Sequence, residues 1–348
     1  MKRENIIRIG LIVLVVLVLA ILNSTLGNYQ LRILNLAGIY VVLGLSLNLI
    51  NGFAGLFSLG HAGFMAIGAY TSALLTMSVA QKQSNFFVKP IVPWLANIEM
   101  PFLPAMLIGG LVAAVLGTLI AAPILRLRDD YLAIATLGFS EIIRVIFTNT
   151  MSLTNGALGL KGLTRYTNVP YSWGIAILTI LFMFSLRRSS YGKAFMAIRE
   201  DDVAAESMGI DLFKHKLLAF TIGSFFAGIG GALLAHLMGT IDPLMFRFLM
   251  TFNVLLIVVL GGIGSITGTV ISAVVVTVAM EVLRFLDGTI DLGFMVIQSV
   301  PGMRMVLFSI LLMLVVLFYQ NGLMGRDEIT LDSMGKFYKN KIKKGAKS

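Results

Sequence analysis

The sequence predicts an all-α polytopic membrane protein of about ten transmembrane helices, with Gly-rich broken helices among them and both termini cytoplasmic. Composition is the first observation behind this. Of 348 residues, 57% are hydrophobic and only 13% charged, with a mean hydropathy of +0.91. Ordinary soluble domains carry about 25% charged residues, and one soluble core cannot absorb so much apolar surface. The second observation is length, because charge-free runs recur at about the 20 residues a spanning helix needs. The third is that cations collect at alternate ends of those runs, as topology by the positive-inside rule requires.

The spans follow in order. The run between Arg8 and Arg32 gives the first, with its apolar core from Ile9 to Leu22. That run could pass for a signal peptide, but it is long and no small-x-small cleavage site follows it cleanly, so it reads as a retained span. Between Arg32 and Lys82 lie 49 charge-free residues. As helix they would extend roughly 74 Å, enough for two crossings of a core about 30 Å thick. The natural break between those two is Asn51-Gly52. Further spans are expected at 103–125, 130–149, 172–187, 215–239, 243–262, 264–286 and 303–320. With the N-terminus inside, segments 1–8, 126–130, 187–216 and the tail from Arg326 hold 18 of the 27 Lys and Arg. Eight fall outside and Arg144 lies within a span. A transmembrane domain over 1–325 would therefore hold an outer loop at 150–171 and an inner loop at 187–216, with 326–348 as a basic cytoplasmic tail.

Composition also excludes classes of chemistry. There is no cysteine, so disulfide, thiol and thiolate-metal chemistry are ruled out. His61, His215 and His236 lack metal-ligand spacing, so no metal or cofactor is expected. The net charge of +10 invites a nucleic-acid reading, but six lysines lie beyond residue 335 and most other cations flank apolar spans. That distribution fits topology and contact with anionic lipid instead.

Residues 51–70, NGFAGLFSLGHAGFMAIGAY, hold five glycines in an otherwise apolar stretch. Small residues let helices approach closely in lipid. Equally, a discontinuous helix can line a watery route, which Asn51, Gly52, Ser58 and His61 would then face. A second cluster, Gly261, Gly262, Gly264 and Gly268, lies between two further apolar halves and adds Gly261 and Gly264 to that candidate pathway. Packing and pathway lining both stand as readings of these glycines. Glu141 and Arg144, three apart on the fifth span, share a helical face and form either a neutralised structural pair or a gate contact.

The inner loop reads RRSSYGKAFMAIREDDVAAESMGIDLFKHK. Ala194 to Met208 predicts one short amphipathic helix, with Phe195, Ile198, Ala205 and Met208 near one face and Gly209 at the C-terminal stop. Its acids, Glu200, Asp201, Asp202 and Glu206, fit a protein partner better than an anionic leaflet. This loop resembles the cytoplasmic coupling loop of bacterial branched-chain amino-acid ABC transporter permeases (LivM-like). Ala204, Ala205 and Gly209 match the importer pattern of Glu-Ala-Ala, three residues, Gly, while Val203 stands where Glu is expected. SLGHAGFMAIGAY at 58–70, LRLRDDYLAIATLGFSEIIRVIFTN at 125–149, LTNGALGL at 153–160 and GGIGSITGTVISA at 261–273 are similar to the same family.

The resemblance implies a permease subunit in the bacterial inner membrane, importing leucine, isoleucine or valine from an extracytoplasmic solute-binding protein. It implies a second related permease and two ATP-binding subunits as partners, with coupling through Gly192, Arg199, Glu200, Ala204, Ala205, Glu206 and Gly209. The chain has no G-x-x-x-x-G-K-[ST], so ATP hydrolysis would belong to the partners and the chain itself is not expected to be an enzyme. A urea permease of the same subfamily is one alternative. An ion-coupled secondary transporter is another, and the scarcity of acids within the spans counts against it.

Overall fold

The computed structural model describes Gly10, residues 16–127 and 129–284, and short pieces at 290–291, 296–297, 306, 309–310, 313 and 322–325. Helices dominate, as apolar runs without water to bond their backbone must. In chain order they are α1 (Val16–Thr25), α2 (Asn28–Asn48, continued by a π-helical turn Leu49–Phe53), α3 (His61–Thr76), the short α4 (Val79–Asn85) and α5 (Pro93–Ala96), α6 (Phe102–Ile124), α7 (Asp129–Asn149), α8 (Met151–Thr154), α9 (Val169–Arg188), α10 (Ser190–Glu200), α11 (Asp202–Ser207), α12 (Leu212–Met238), α13 (Phe248–Gly261) and α14 (Ile266–Val282). Five helical stretches are long and apolar enough to cross a membrane: Asn28–Phe53, Phe102–Ile124, Tyr131–Asn149, Val169–Arg188 and Leu212–Met238. The expected span at 303–320 and the basic tail at 326–348 lie outside the described residues, apart from a few isolated positions.

Glycine builds the core. Here α12 packs on α3 and α6, and α2 packs on α12, α14 and α9. A Cβ on Gly68 of α3 would fall 2.1 Å from the Gly228 carbonyl oxygen of α12, and one on Gly231 would fall 2.0 Å from the Met65 oxygen. Gly109 of α6 approaches the backbone of Gly68 from the other side. These three helices therefore touch backbone to backbone, the close approach that substitutes for the missing hydrophobic drive in lipid.

Segments expected on one side of the membrane gather together. At one end, β1 (Leu160–Lys161) pairs antiparallel with β2 (Thr240–Ile241). Asn85 donates from Nδ2 to Lys161 O and accepts from Lys161 N, and Val92 N donates to Ser152 O. Lys82, counted as a flanking charge in the sequence, is instead buried, with Nζ donating to the carbonyls of Leu95 and Ile98. Burial holds its ammonium below the ordinary lysine value, while Glu99 pulls it back up. The 150–171 loop is tied down by the Asn155-Gly156 turn, with Asn155 in the left-handed region at φ 60° and its Nδ2 donating to Gly159 O.

The third span opens on non-helical backbone at residues 54–60, as a broken helix would, and α3 begins only at His61. One expectation needs correction. The inner loop is two helices, not one. Asp201 is extended (φ −161°, ψ 110°) and its Oδ1 accepts from Ala204 N, ending α10 and capping α11. An aspartate that competes for the backbone in this way breaks a helix as readily as it starts one.

Candidate functional site

The two glycine-rich breaks meet. At the first, α2 widens into a π turn (Ala54 N to Leu49 O, 3.1 Å) and Leu56 N reaches Ile50 O. The chain then doubles back, because His61 Nε2 lies 2.9 Å from Ser46 Oγ. Seven residues separate Ser46 from the end of α2, so α3 starts roughly 10 Å back along it. Backbone donors in this return stretch are satisfied by side chains. Ser58 N donates to Asn51 Oδ1, Leu59 N to Thr136 Oγ1 of α7, and Ala62 N to Thr251 Oγ1 of α13. Non-helical backbone at membrane depth survives only when buried in protein or lining a cavity, and here borrowed hydroxyls and an amide make it tolerable.

At the second break, α13 ends at Gly261 and α14 begins after Ser265, whose Oγ accepts from Gly268 N at 3.1 Å. Gly262 and Gly264 take φ of 107° and 90°, which L side chains rarely adopt. Asn48 joins the two breaks. Its Oδ1 accepts from Gly264 N at 2.8 Å, and its Nδ2 donates to Ser265 O and Thr269 Oγ1, each at 2.9 Å. A Cβ on Gly52 would lie 2.0 Å from Asn48 Oδ1 and 2.6 Å from the Gly264 nitrogen. Only glycine fits there.

Arg199, near the end of α10, reaches into this junction, and its Nη1 donates to Gly52 O at 2.8 Å. The structure thus brings together Gly52, Gly264 and Arg199, which the sequence had assigned to two separate functions. Asn51 lies beside this junction but is occupied in holding the Ser58 backbone, and His61 sits further back along α2 against Ser46. Gly261 packs against Gly268 across the hairpin. Glu141 and Arg144 form a local pair (Nε to Oε2, 2.6 Å) with both side chains partly exposed on α7.

The rest of the inner loop forms a tip. Gly192 sits in the first turn of α10, whose N-cap Ser189 accepts from Gly192 N. Phe195, Ile198 and Ala205 are buried as expected, but Met208, placed on the same face by the one-helix reading, is 83% exposed. The break at Asp201 turns α11 away and lifts Met208 off the protein, together with Val203 at 74%. Gly209 takes φ +83°, with Gly209 N bonded to Glu206 O and Ile210 N to Ala205 O. This is a Schellman stop. Asp211 caps α12, and its carboxyl is held below the usual carboxylate range, first by the Lys214 ammonium and then by the Lys214 backbone N–H. Among the described residues no group of His, Asp and Glu could hold a metal ion.

Sequence reasoning missed Asn48, Thr136, Thr251, Ser265 and Thr269. The available signal was a lone buried amide three positions before Asn51 in an apolar run, since polar side chains within spans usually bond across helices.

The model of the family described as "Branched-chain amino acid transport system / permease component" matches residues 29–317. The high-affinity branched-chain amino acid transport system permease protein LivM of Escherichia coli is 35% identical over 286 residues, covering 72% of this chain. The chain spans 63% of that relative's length. The probable branched-chain amino acid transport permease protein LivM of Methanocaldococcus jannaschii is 25% identical over 327 residues, covering 86% of this chain and 94% of its own length. The permease protein LivH of the corresponding Salmonella typhimurium system is 25% identical over 313 residues, covering 84% of this chain and 94% of its own. No solved structure matches the chain.

Proposed function

The chain belongs to the family of branched-chain amino acid transport permease components, and on that premise we propose that it is the membrane-spanning permease subunit of an ATP-driven importer of leucine, isoleucine and valine. It works beside a second, related permease, as the likeness to both LivM and LivH supports. Two ATP-binding subunits drive the pair from the cytoplasm, and an extracytoplasmic binding protein delivers solute to the 150–171 side, whose neighbouring rim exposes Phe87, Val88 and Trp94. The location is the bacterial inner membrane, with about ten spans and both termini cytoplasmic. The gathering of 79–101, 150–171 and 240–242 at one end supports that arrangement. So does the junction of Gly52, Arg199 and Gly264, with Leu323 N bonded to Leu260 O near that second break.

The observation that carries this reading is the tip at 201–209. A six-residue helix is rigidly capped at both ends, exposes Val203 and Met208, and carries the acids Asp202 and Glu206 beside them. Fixed apolar side chains in a polar rim suit docking into a protein groove. A coupled helix of that kind transmits rigid-body movement between subunits. The test is uptake of labelled leucine into vesicles holding the permeases with and without their ATPase. ATP-dependent uptake insensitive to an uncoupler is expected. Uptake collapsed by the uncoupler and indifferent to ATP would instead indicate an ion-coupled carrier.

A further inference from the structure

We propose that Arg199 is the joint through which α10 acts on both helix breaks at once: its guanidinium, bonded to Gly52 O in a slot cleared by Gly55 and Gly264, ties the coupling segment to the end of α2 and to the α13–α14 turn. The proposal rests on the importer reading for its driving force, but not for its geometry.

The slot is built for this side chain. A Cβ on Gly264 would stand 2.5 Å from Arg199 Nη1, and one on Gly55 would stand 2.8 Å from Arg199 Cγ and 3.1 Å from its Cα. Gly55 and Gly264 hold φ of +69° and +90°, so both space and backbone conformation demand glycine at those two positions. The bond made in the slot is also specific. The last carbonyls of a helix lack intrahelical donors, and the C-terminal end of its dipole favours a cation. Gly52 O is such a carbonyl, and Arg199 Nη1 supplies the donor at 2.8 Å. Nη2 is held by Glu200 Oε1 at 2.6 Å, which fixes the plane of the guanidinium. Nε is buried and has no acceptor among the described residues.

The mechanics follow from connectivity. Asn48 sits one turn before Gly52 and is bonded to Gly264, Ser265 and Thr269. Any displacement of α10 that draws Gly52 O therefore also drags the start of α14. Two hairpins move as one unit from a single point of attachment. A lysine keeps the charge but not the planar fork of the guanidinium, and a glutamine offers a donor without the charge.

Two measurements test this. The chain has no cysteine, so Phe57→Cys, at an exposed position in the return stretch, takes a single spin label, and Phe87→Cys labels the far end as a control. Arg199→Gln is expected to raise label mobility at 57 and leave it unchanged at 87. Equal mobility at 57 in both backgrounds overturns the joint whatever drives transport. In the assembled complex, Arg199→Gln is expected to keep subunit stoichiometry and ATP hydrolysis within about twofold, while uptake per ATP falls about tenfold, the effect of one lost charge-assisted bond. Arg199→Lys should recover part of that ratio. Parallel loss of hydrolysis and uptake, with no rescue by lysine, assigns Arg199 a merely structural role and sinks the proposal. Failure of the unmutated complex to use ATP would refute the importer reading, and the spin-label result would still decide the joint.

Discussion

Replacing Asn48 by leucine keeps the branching of the side chain and removes every polar atom from the pin between the two breaks. Three bonds are lost, at 2.8, 2.9 and 2.9 Å. The losses are unequal. Ser265 O keeps donors from Thr269 Oγ1 at 2.7 Å and Thr269 N at 3.2 Å, so its desolvation is already met. The Gly264 N–H has no second acceptor among the described residues and is left unpaired in a buried turn. Interhelical hydrogen bonds in membrane proteins average about 0.6 kcal/mol each, and an orphaned buried donor adds about 1–3 kcal/mol. Together these give a loss of about 3–5 kcal/mol for Asn48→Leu. Asn35 lies on the same helix and is also buried, but its side chain makes one interhelical bond, accepting from Ser172 Oγ at 2.7 Å. Ser172 Oγ has alternatives in the Asn168 and Val169 carbonyls, so Asn35→Leu should lose no more than about 1 kcal/mol. Equilibrium unfolding in mixed detergent micelles measures both. Trp173 fluorescence serves as a probe, since its Nε1 donates to Leu34 O and reports the α2–α9 contact. Equal losses in the two variants would refute the claim that Asn48 is the pin.

Three further predictions follow from separate features. Gly68→Ala places a methyl 2.1 Å from a backbone oxygen, where no rotamer can relieve it. A loss of about 1–3 kcal/mol in the same unfolding assay is expected, against near-neutrality for Gly174→Ala on α9, which has open space around its Cα. Gly209→Pro cannot adopt the observed φ of +83°, because proline fixes φ near −65°. ATP-driven uptake should be lost while the protein still inserts and purifies, and full uptake would remove the coupling role of the 201–209 tip. Glu141→Gln removes one member of a partly exposed ion pair. Its stability effect should stay below about 1 kcal/mol, and uptake should not change its pH profile. A shifted profile would make Glu141 a proton carrier and favour a secondary transporter.

Four of the ten expected spans were clearly legible in the sequence, because burial in lipid imposes one rule, a long charge-free run, that local residues satisfy alone. The expected spans at 103–125, 130–149, 172–187 and 215–239 match α6, α7, α9 and α12 to within three residues at each end. What was not legible depends on partners distant in sequence. The glycines of residues 51–60 allow a break there, but Ala54, Leu56 and Leu59 favour helix, so its extent was not legible. Residues 54–60 stay unwound because Asn51 accepts from Ser58 N and Thr136 of α7 accepts from Leu59 N, while Thr251 of α13 takes Ala62 N at the start of α3. Likewise Asp201 reads as one more acid on an amphipathic face until its cap to Ala204 N is seen. Met208 then leaves the buried face, since a break in a helix re-aims every side chain beyond it.

The five glycines of residues 51–70 divide by backbone conformation and by neighbour. Gly63 and Gly68 lie within α3, and Gly60 is its N-cap. All three face neighbouring helices: Gly60 meets the Thr136 backbone of α7, Gly63 meets Ile143 and Ser140 of α7, and Gly68 meets the Gly228 backbone of α12. They pack. Gly52 and Gly55 face Asn48, Gly264 and Arg199, and Gly55 has a positive φ. They clear a junction. A packing glycine replaced by alanine separates two helices along their length and weakens the fold. A junction glycine replaced by alanine evicts a specific side chain and leaves the α3–α6–α12 core untouched. Gly55→Ala should therefore act like Arg199→Gln, while Gly68→Ala should act on stability alone. One composition thus serves two unrelated ends, which is why neither packing nor pathway lining could be chosen for the run as a whole.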